Sequence, residues 1–149
     1  MVICRRTIVD QDSGLISLMD CIEGVNLAKS SGNISVGDLP LNLASEHSVA
    51  MQWARASTDE MTYPAKLKII ATDDTLISEN EIEIDFGLNK GEALGHRSIV
   101  KMGSLAVHGD GELTYVVEVK LNDKWEEMGR QSLRIKLERS VSGAPAPGS

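Results

Sequence analysis

Hydrophobic positions recur with a period of two along much of the chain, most clearly near its C-terminal end. From Leu113 to Leu121, the residues Leu113, Tyr115, Val117, Val119 and Leu121 alternate with Thr114, Val116, Glu118 and Lys120. From Gln131 to Glu138, Leu133, Ile135 and Leu137 alternate with Arg134, Lys136 and Glu138. Such a period sends one set of side chains toward a core and the other toward water. Asn122-Asp123 and then Gly129 supply turn chemistry between the two runs. This predicts an antiparallel unit around which the other strands gather.

At the N-terminal end, Ile3 to Val9 reads as a strand, Asp10 to Gly14 as a hairpin loop, and Leu15 to Ile22 as the returning strand. If Asp10 faces Leu15, Cys4 stands opposite Cys21; a slip of one residue puts the two thiols on opposite faces. They then read either as a redox pair or as two reduced, half-buried thiols. Between Glu23 and Glu46 the pattern fades. Ser30 to Asn33 and Gly37 to Pro40 are turn clusters, with room for a short strand from Asn33 to Val36. Pro40 suits only the edge or start of a strand.

The stretch Ser45 to Ser57 reads two ways. As a strand, Val49, Met51, Trp53 and Arg55 alternate with Ala50, Gln52, Ala54 and Ala56. As a helix, Ser45 would be the N-cap and Val49, Trp53 and Ala56 one face. We take it as a strand, because its neighbours are strands and no helix to pack against is evident. Thr58 to Glu60 reads as a turn and Ala65 to Thr72 as a strand. Glu81 to Phe86 alternates strictly and predicts a half-buried strand. A loop over Asn89 to Gly91 follows. Arg97 to His108 predicts a strand whose phase shifts near Gly103, where a bulge or bend would sit. His108 to Glu112 is a tight turn into the C-terminal unit.

About seven to nine short strands with regularly spaced turns indicate an all-β fold, either sandwich or barrel. The antiparallel β-sandwich is preferred, since the gap before Ser45 and the bend near Gly103 suit a chain crossing between two sheets. Any immunoglobulin-like character is architectural only, because the Cys…Trp…Cys spacing of true immunoglobulin domains is absent. One domain is expected over 1–139, with a flexible Ser/Gly/Ala/Pro tail over 140–149.

The opening Ile3-Cys4-Arg5-Arg6-Thr7-Ile8-Val9-Asp10, followed by Ser13-Gly14-Leu15-Ile16-Ser17-Leu18-Met19, resembles a family of small uncharacterised bacterial β-sandwich proteins. The later Gly turn, Tyr115-Val116-Val117-Glu118-Val119, polar turn and return strand are similar too. The likeness covers about the first 23 and last 30 residues. It implies a compact sandwich, and no activity, cofactor or site comes with it.

Size and composition narrow the function. A chain of 149 residues buries about 68–70% of its unfolded surface and needs neither metal nor disulfide to fold. Aromatic residues are only 3% of the chain, so the core must be mainly aliphatic and stacking surfaces for bases or sugars are few. The net charge of −7 argues against a nucleic-acid partner, which needs clustered Lys and Arg. No apolar leader follows Met1 and no run is long enough to span a membrane, so no membrane partner and a cytoplasmic location are expected.

Recognisable chemistry is sparse. His47, His96 and His108 lack the spacing of zinc ligands, and no serine stands in a Gly-x-Ser-x-Gly elbow. No catalytic, cofactor-binding or metal-ligating residue is assigned. The acidic residues are more suggestive: Asp73, Asp74, Glu79, Glu81, Glu83 and Asp85 lie close in sequence, and Glu81, Glu83 and Asp85 share one strand face. That row reads as an acidic stripe facing a partner. The leading expectation is a non-enzymatic module that binds another protein. The alternative is a calcium- or small-ligand-binding sandwich using loops at one end. Third comes an enzyme with a dispersed site, requiring two of the three histidines within about 10 Å beside a pocket.

Overall fold

The computed structural model describes residues 1–9, 16–27, 34–56, 62–87 and 95–138. The Asp10–Gly14 loop, the Ser30–Asn33 and Thr58–Glu60 turns, the Asn89–Gly91 loop and the 140–149 tail lie outside them. The described residues form nine strands: β1 (Val2–Val9), β2 (Ile16–Cys21), β3 (Gly24–Leu27), β4 (Leu41–Ala54), β5 (Thr62–Ile70), β6 (Leu76–Asp85), β7 (Gly95–Val107), β8 (Gly111–Leu121) and β9 (Lys124–Leu137). One short 3-10 turn, Val36–Asp38, accompanies them, and no α-helix occurs among the described residues. The protein is all-β.

The strands form two sheets, one of four strands in the order β2-β1-β4-β7 and one of five in the order β3-β9-β8-β5-β6. Ile3, Val49, Met51, Leu105 and Val107 from the first sheet and Leu67, Leu113, Tyr115, Val117, Leu133 and Ile135 from the second share one buried cluster. These residues sit at the period-two positions, so alternation along each strand has become burial between sheets.

The C-terminal pair is the longest hairpin of the five-stranded sheet. Leu121 faces Lys124, and the two residues between them, Asn122 and Asp123, both have positive φ, 49° and 63°. That is the left-handed pair a two-residue hairpin turn requires, and Asn and Asp tolerate it better than other L residues. Strand β9 begins immediately after the turn, earlier than the expected Gln131. Lys124 to Met128 are all exposed, so they carry no burial periodicity by which a strand would be recognised.

Two expectations need correction. The strands are not all antiparallel: β3 pairs with β9 in parallel, Gly24 opposite Arg134 through Leu27 opposite Leu137. The chain leaves the first sheet at Cys21 and enters the second after Ile22-Glu23, arriving in the same direction as β9. A parallel pair needs a long connection between its strands, and most of the chain lies between these two. Second, Ile34 and Ser35 are not strand, and Val36 begins the 3-10 turn closed by Asp38, whose Oδ2 accepts from the Ser35 N–H (2.8 Å) and hydroxyl (3.0 Å). The strand reading preferred for Ser45 to Ser57 holds through Ala54, and β4 starts earlier than expected, at Leu41 directly after Pro40.

The irregularity expected at Gly103 is present, but the extra residue belongs to β4. Ala44 faces Ser104 and His47 faces Met102, so Ser45 and Glu46 together oppose Gly103. A bulge re-aims the side chains that follow it. Here His47 turns inward, and its Nδ1 lies 2.9 Å from the carbonyl of Ser45 in the bulge.

Candidate binding site

The three histidines do not converge. His96 lies near the start of β7 and His108 just beyond its end, a separation on the order of 40 Å along an extended strand. His47 faces the middle of that strand. It is buried, and its Nε2 lies 2.8 Å from the hydroxyl of Tyr115. Since Nδ1 donates its proton to the Ser45 carbonyl, Nε2 accepts from Tyr115. Burial raises the Tyr115 hydroxyl far above its ordinary range, so it stays a donor. This pair joins the two sheets through a buried contact in which each polar side-chain atom has a partner. His108 instead donates from Nδ1 to Asp73 at 3.1 Å on the surface. That bond, with further ones from Thr75, holds the Asp73 carboxyl below its usual range.

The acidic row lies on β6, at the edge of its sheet. Glu81 and Glu83 are exposed, facing Lys66 and Pro64 across the strand pair. Asp85 is half-buried and faces Thr62; its Oδ1 accepts the Gly87 N–H at 2.7 Å, closing the turn that ends the strand. Cations interleave the row. Lys66 meets Glu79 at 2.7 Å and sits 4.5 Å from the ring centre of Trp125, while Lys68 meets Glu118 at 2.7 Å. The hydrogen bond from Lys66 holds the Glu79 carboxyl below its usual range. The stripe is thus an acidic margin of a mixed-charge face. Among the described residues, no three His, Cys, Asp or Glu side chains stand together in a way that could hold a metal ion.

A different feature stands out where the end of β4, the start of β5 and the ends of β6 and β8 meet. The protein has two Trp, two Tyr and one Phe. Three of these five, Trp53, Tyr63 and Phe86, line one open pocket of about 190 Å³. Ile84, Val119 and Leu121 complete its apolar wall, with Arg55 and Met128 also lining it. Phe86 is 4% exposed and packs with Ala65, Ile84 and Val119 in a second small core. Tyr63 meets Phe86 edge to face, with ring centres 6.2 Å apart and planes at 89°. The Arg55 guanidinium lies 5.5 Å from the Phe86 ring centre, within cation–π range. Trp53 is anchored by its indole N–H, which donates to Ser98 Oγ at 3.1 Å.

Local sequence explains how these groups are held. Alternation along β6 carries Ile82, Ile84 and Phe86 on one face. Met128 is the extra residue of a β9 bulge, between Gly129 opposite Val117 and Glu127 opposite Glu118, and it remains 53% exposed. A large apolar side chain left in water at the edge of an aromatic recess is the pattern of a contact surface. Sequence reasoning missed this site. The usable signal was the scarcity of aromatics together with their positions at strand ends, which gains meaning only once those ends are known to meet. Comparison with family models, with curated proteins and with solved structures finds no match for the chain.

Proposed function

We propose that this protein is a non-enzymatic module that binds another protein, taking an apolar side chain of its partner into the Trp53–Tyr63–Phe86 pocket. The observation that carries this reading is the gathering of three of the five aromatic residues around one open recess with Met128 at its margin. Small-molecule sites occupy about 300–1,000 Å³. At about 190 Å³ the pocket suits one inserted side chain better than a whole metabolite. Aromatic residues and Met are also the types enriched at protein interfaces. The exposed acids Glu81 and Glu83 lie on the same strand that leads to Phe86, and they steer a partner whose apolar residue is flanked by basic ones.

On this reading the two sheets are the layers of an immunoglobulin-like β-sandwich, supported by the core they share. The resemblance of the N- and C-terminal segments to small bacterial sandwich proteins is carried as part of the same proposal. We place its work in the cytoplasm, where two unbonded thiols are the normal state.

The test is affinity capture from the native host's lysate at low and high salt. Three baits are used: the wild-type chain, Met128→Glu, and the triple replacement Glu81→Ala/Glu83→Ala/Asp85→Ala. The expected result is one recurrent partner that the wild type captures and Met128→Glu does not. The triple variant should capture it more weakly, and high salt should weaken the wild type in the same way. A partner held equally by Met128→Glu excludes the pocket, and one held equally by the triple variant excludes the acidic guidance.

A further inference from the structure

The N-terminal hairpin holds a second feature, independent of the pocket. Cys4 of β1 stands directly opposite Cys21 of β2. The Ile22 N–H donates to the Ile3 carbonyl at 2.9 Å, which makes Cys4 and Cys21 a non-hydrogen-bonded pair of the ladder. Such partners share a face and approach most closely, with α-carbons about 4.5 Å apart. That distance lies within the roughly 4.4–6.8 Å that disulfides span. Ile3 points into the shared core, so Cys4 lies on the other, outer face of the four-stranded sheet. Cys4 is nevertheless 0% exposed, and its thiol donates a long hydrogen bond of 3.8 Å to the Ser48 carbonyl on β4. Cys21 is exposed. One thiol meets solvent and its neighbour is sealed.

We propose that Cys4 and Cys21 are a thiol–disulfide switch, in which Cys21 exchanges with a low-molecular-weight disulfide such as oxidised glutathione and Cys4 resolves the adduct into a cross-strand bond. The Cys21 thiolate attacks one sulfur of the oxidant, forming a mixed disulfide and expelling the first small thiolate. Cys4 then loses its proton and attacks Cys21 Sγ, expelling the second. Two protein thiols are oxidised, one small disulfide is reduced to two thiols, and the two protons pass to the products. Burial, and then the nearby Cys21, push the Cys4 thiol up. Access and thiolate character together set the order of attack.

The bond would close where the chain leaves one sheet for the other. Two residues after Cys21, the Glu23 carbonyl accepts the Arg134 N–H at 3.0 Å. Oxidation therefore pins edge strand β2 on the near side of a crossover already held on the far side. A bridge closing a loop of about 15 residues should raise the melting temperature of a chain this size by about 5–10 °C.

The experiment exposes the folded full-length chain to oxidised glutathione and follows intact mass and melting temperature. The wild type should lose two hydrogens, keep no glutathione, melt higher, and revert with dithiothreitol. Cys21→Ser should remain unmodified and show no shift. Cys4→Ser should keep one glutathione on Cys21. A wild type that stays reduced, or that accumulates a stable adduct without the internal bond, overturns the proposal. So does a Cys21→Ser chain that is modified on Cys4 as fast as the wild type is on Cys21. Cys21 is exposed, so its replacement leaves the fold intact and the comparison readable.

Discussion

Two places in the molecule bring aromatic and histidine rings together, and they are built to opposite ends. Between the sheets, His47 and Tyr115 meet edge to face with ring centres 5.9 Å apart. Both are buried, and each polar atom of the pair has a partner. At the strand ends, Phe86 meets Tyr63 and His96 at 6.2 and 6.0 Å, but the assembly opens to water past Trp53 and Met128. A closed, satisfied cluster contributes stability and uniqueness of packing. An open one leaves apolar surface uncovered, which favours association. Similar residue types therefore serve structure in one place and, in the function proposed above, contact in the other, and closure makes the difference.

Truncating the closed cluster should destabilise the protein most. Tyr115→Ala removes a fully buried ring and should cost about 3–5 kcal/mol in urea unfolding. Tyr115→Phe keeps the volume but strips His47 Nε2 of its donor, and should cost about 1–3 kcal/mol. If Tyr115→Phe unfolds at the wild-type midpoint, the sheet-to-sheet hydrogen bond contributes nothing and the contrast with the open cluster weakens.

Met128→Glu probes the open cluster from its exposed margin. Its unfolding free energy should move by no more than about 0.5 kcal/mol, as for a surface substitution. Partner capture should nevertheless fail, so stability and binding separate. A variant that lost both would show Met128 to be part of the core. At the neighbouring hairpin turn, Asp123→Gly relieves a residue held at positive φ and should stabilise by about 0.5 kcal/mol. Its ion pair with Lys120, at 3.6 Å, is too exposed to offset that. An unchanged or lower urea midpoint would argue against strain in the turn.

The smallest effect lies at the far surface, away from both clusters. The Asp73 carboxyl is held low by its hydrogen bonds to His108 and Thr75. A depressed carboxyl contributes stability above its unfolded pKa of about 3.9 and loses it as pH falls through the lower folded value. The wild type should therefore melt above Asp73→Asn at neutral pH, with the gap closing in acid below the ordinary carboxylate range. A gap that stays constant with pH would mean the pair acts through geometry alone.

Alternation was enough to reveal most strands, because a half-buried strand must alternate. It identified β8, the C-terminal part of β9, and β6 with Ile82, Ile84 and Phe86 on one face. The Asn122-Asp123 turn was legible because few residue types tolerate positive φ. The register that sets Cys4 opposite Cys21 was open to a one-residue slip, and the pairing of the two strands selects it. The exposed start of β9 and the first residues of β4 escaped notice for a shared reason. Where both faces of a strand are wet, or where turn residues stand beside it, burial leaves no periodic mark on the sequence.

The all-β class, the period of each inner strand, the acidic balance and the lack of recognisable catalytic spacing were legible in the residues themselves. These follow from local backbone geometry and composition. Tertiary structure alone decided that β3 runs parallel to β9, that the bulge at Ser45-Glu46 turns His47 into the core, and that Trp53, Tyr63 and Phe86 surround one recess. Each joins residues far apart in the chain, and side-chain period carries no information about which strand ends will meet.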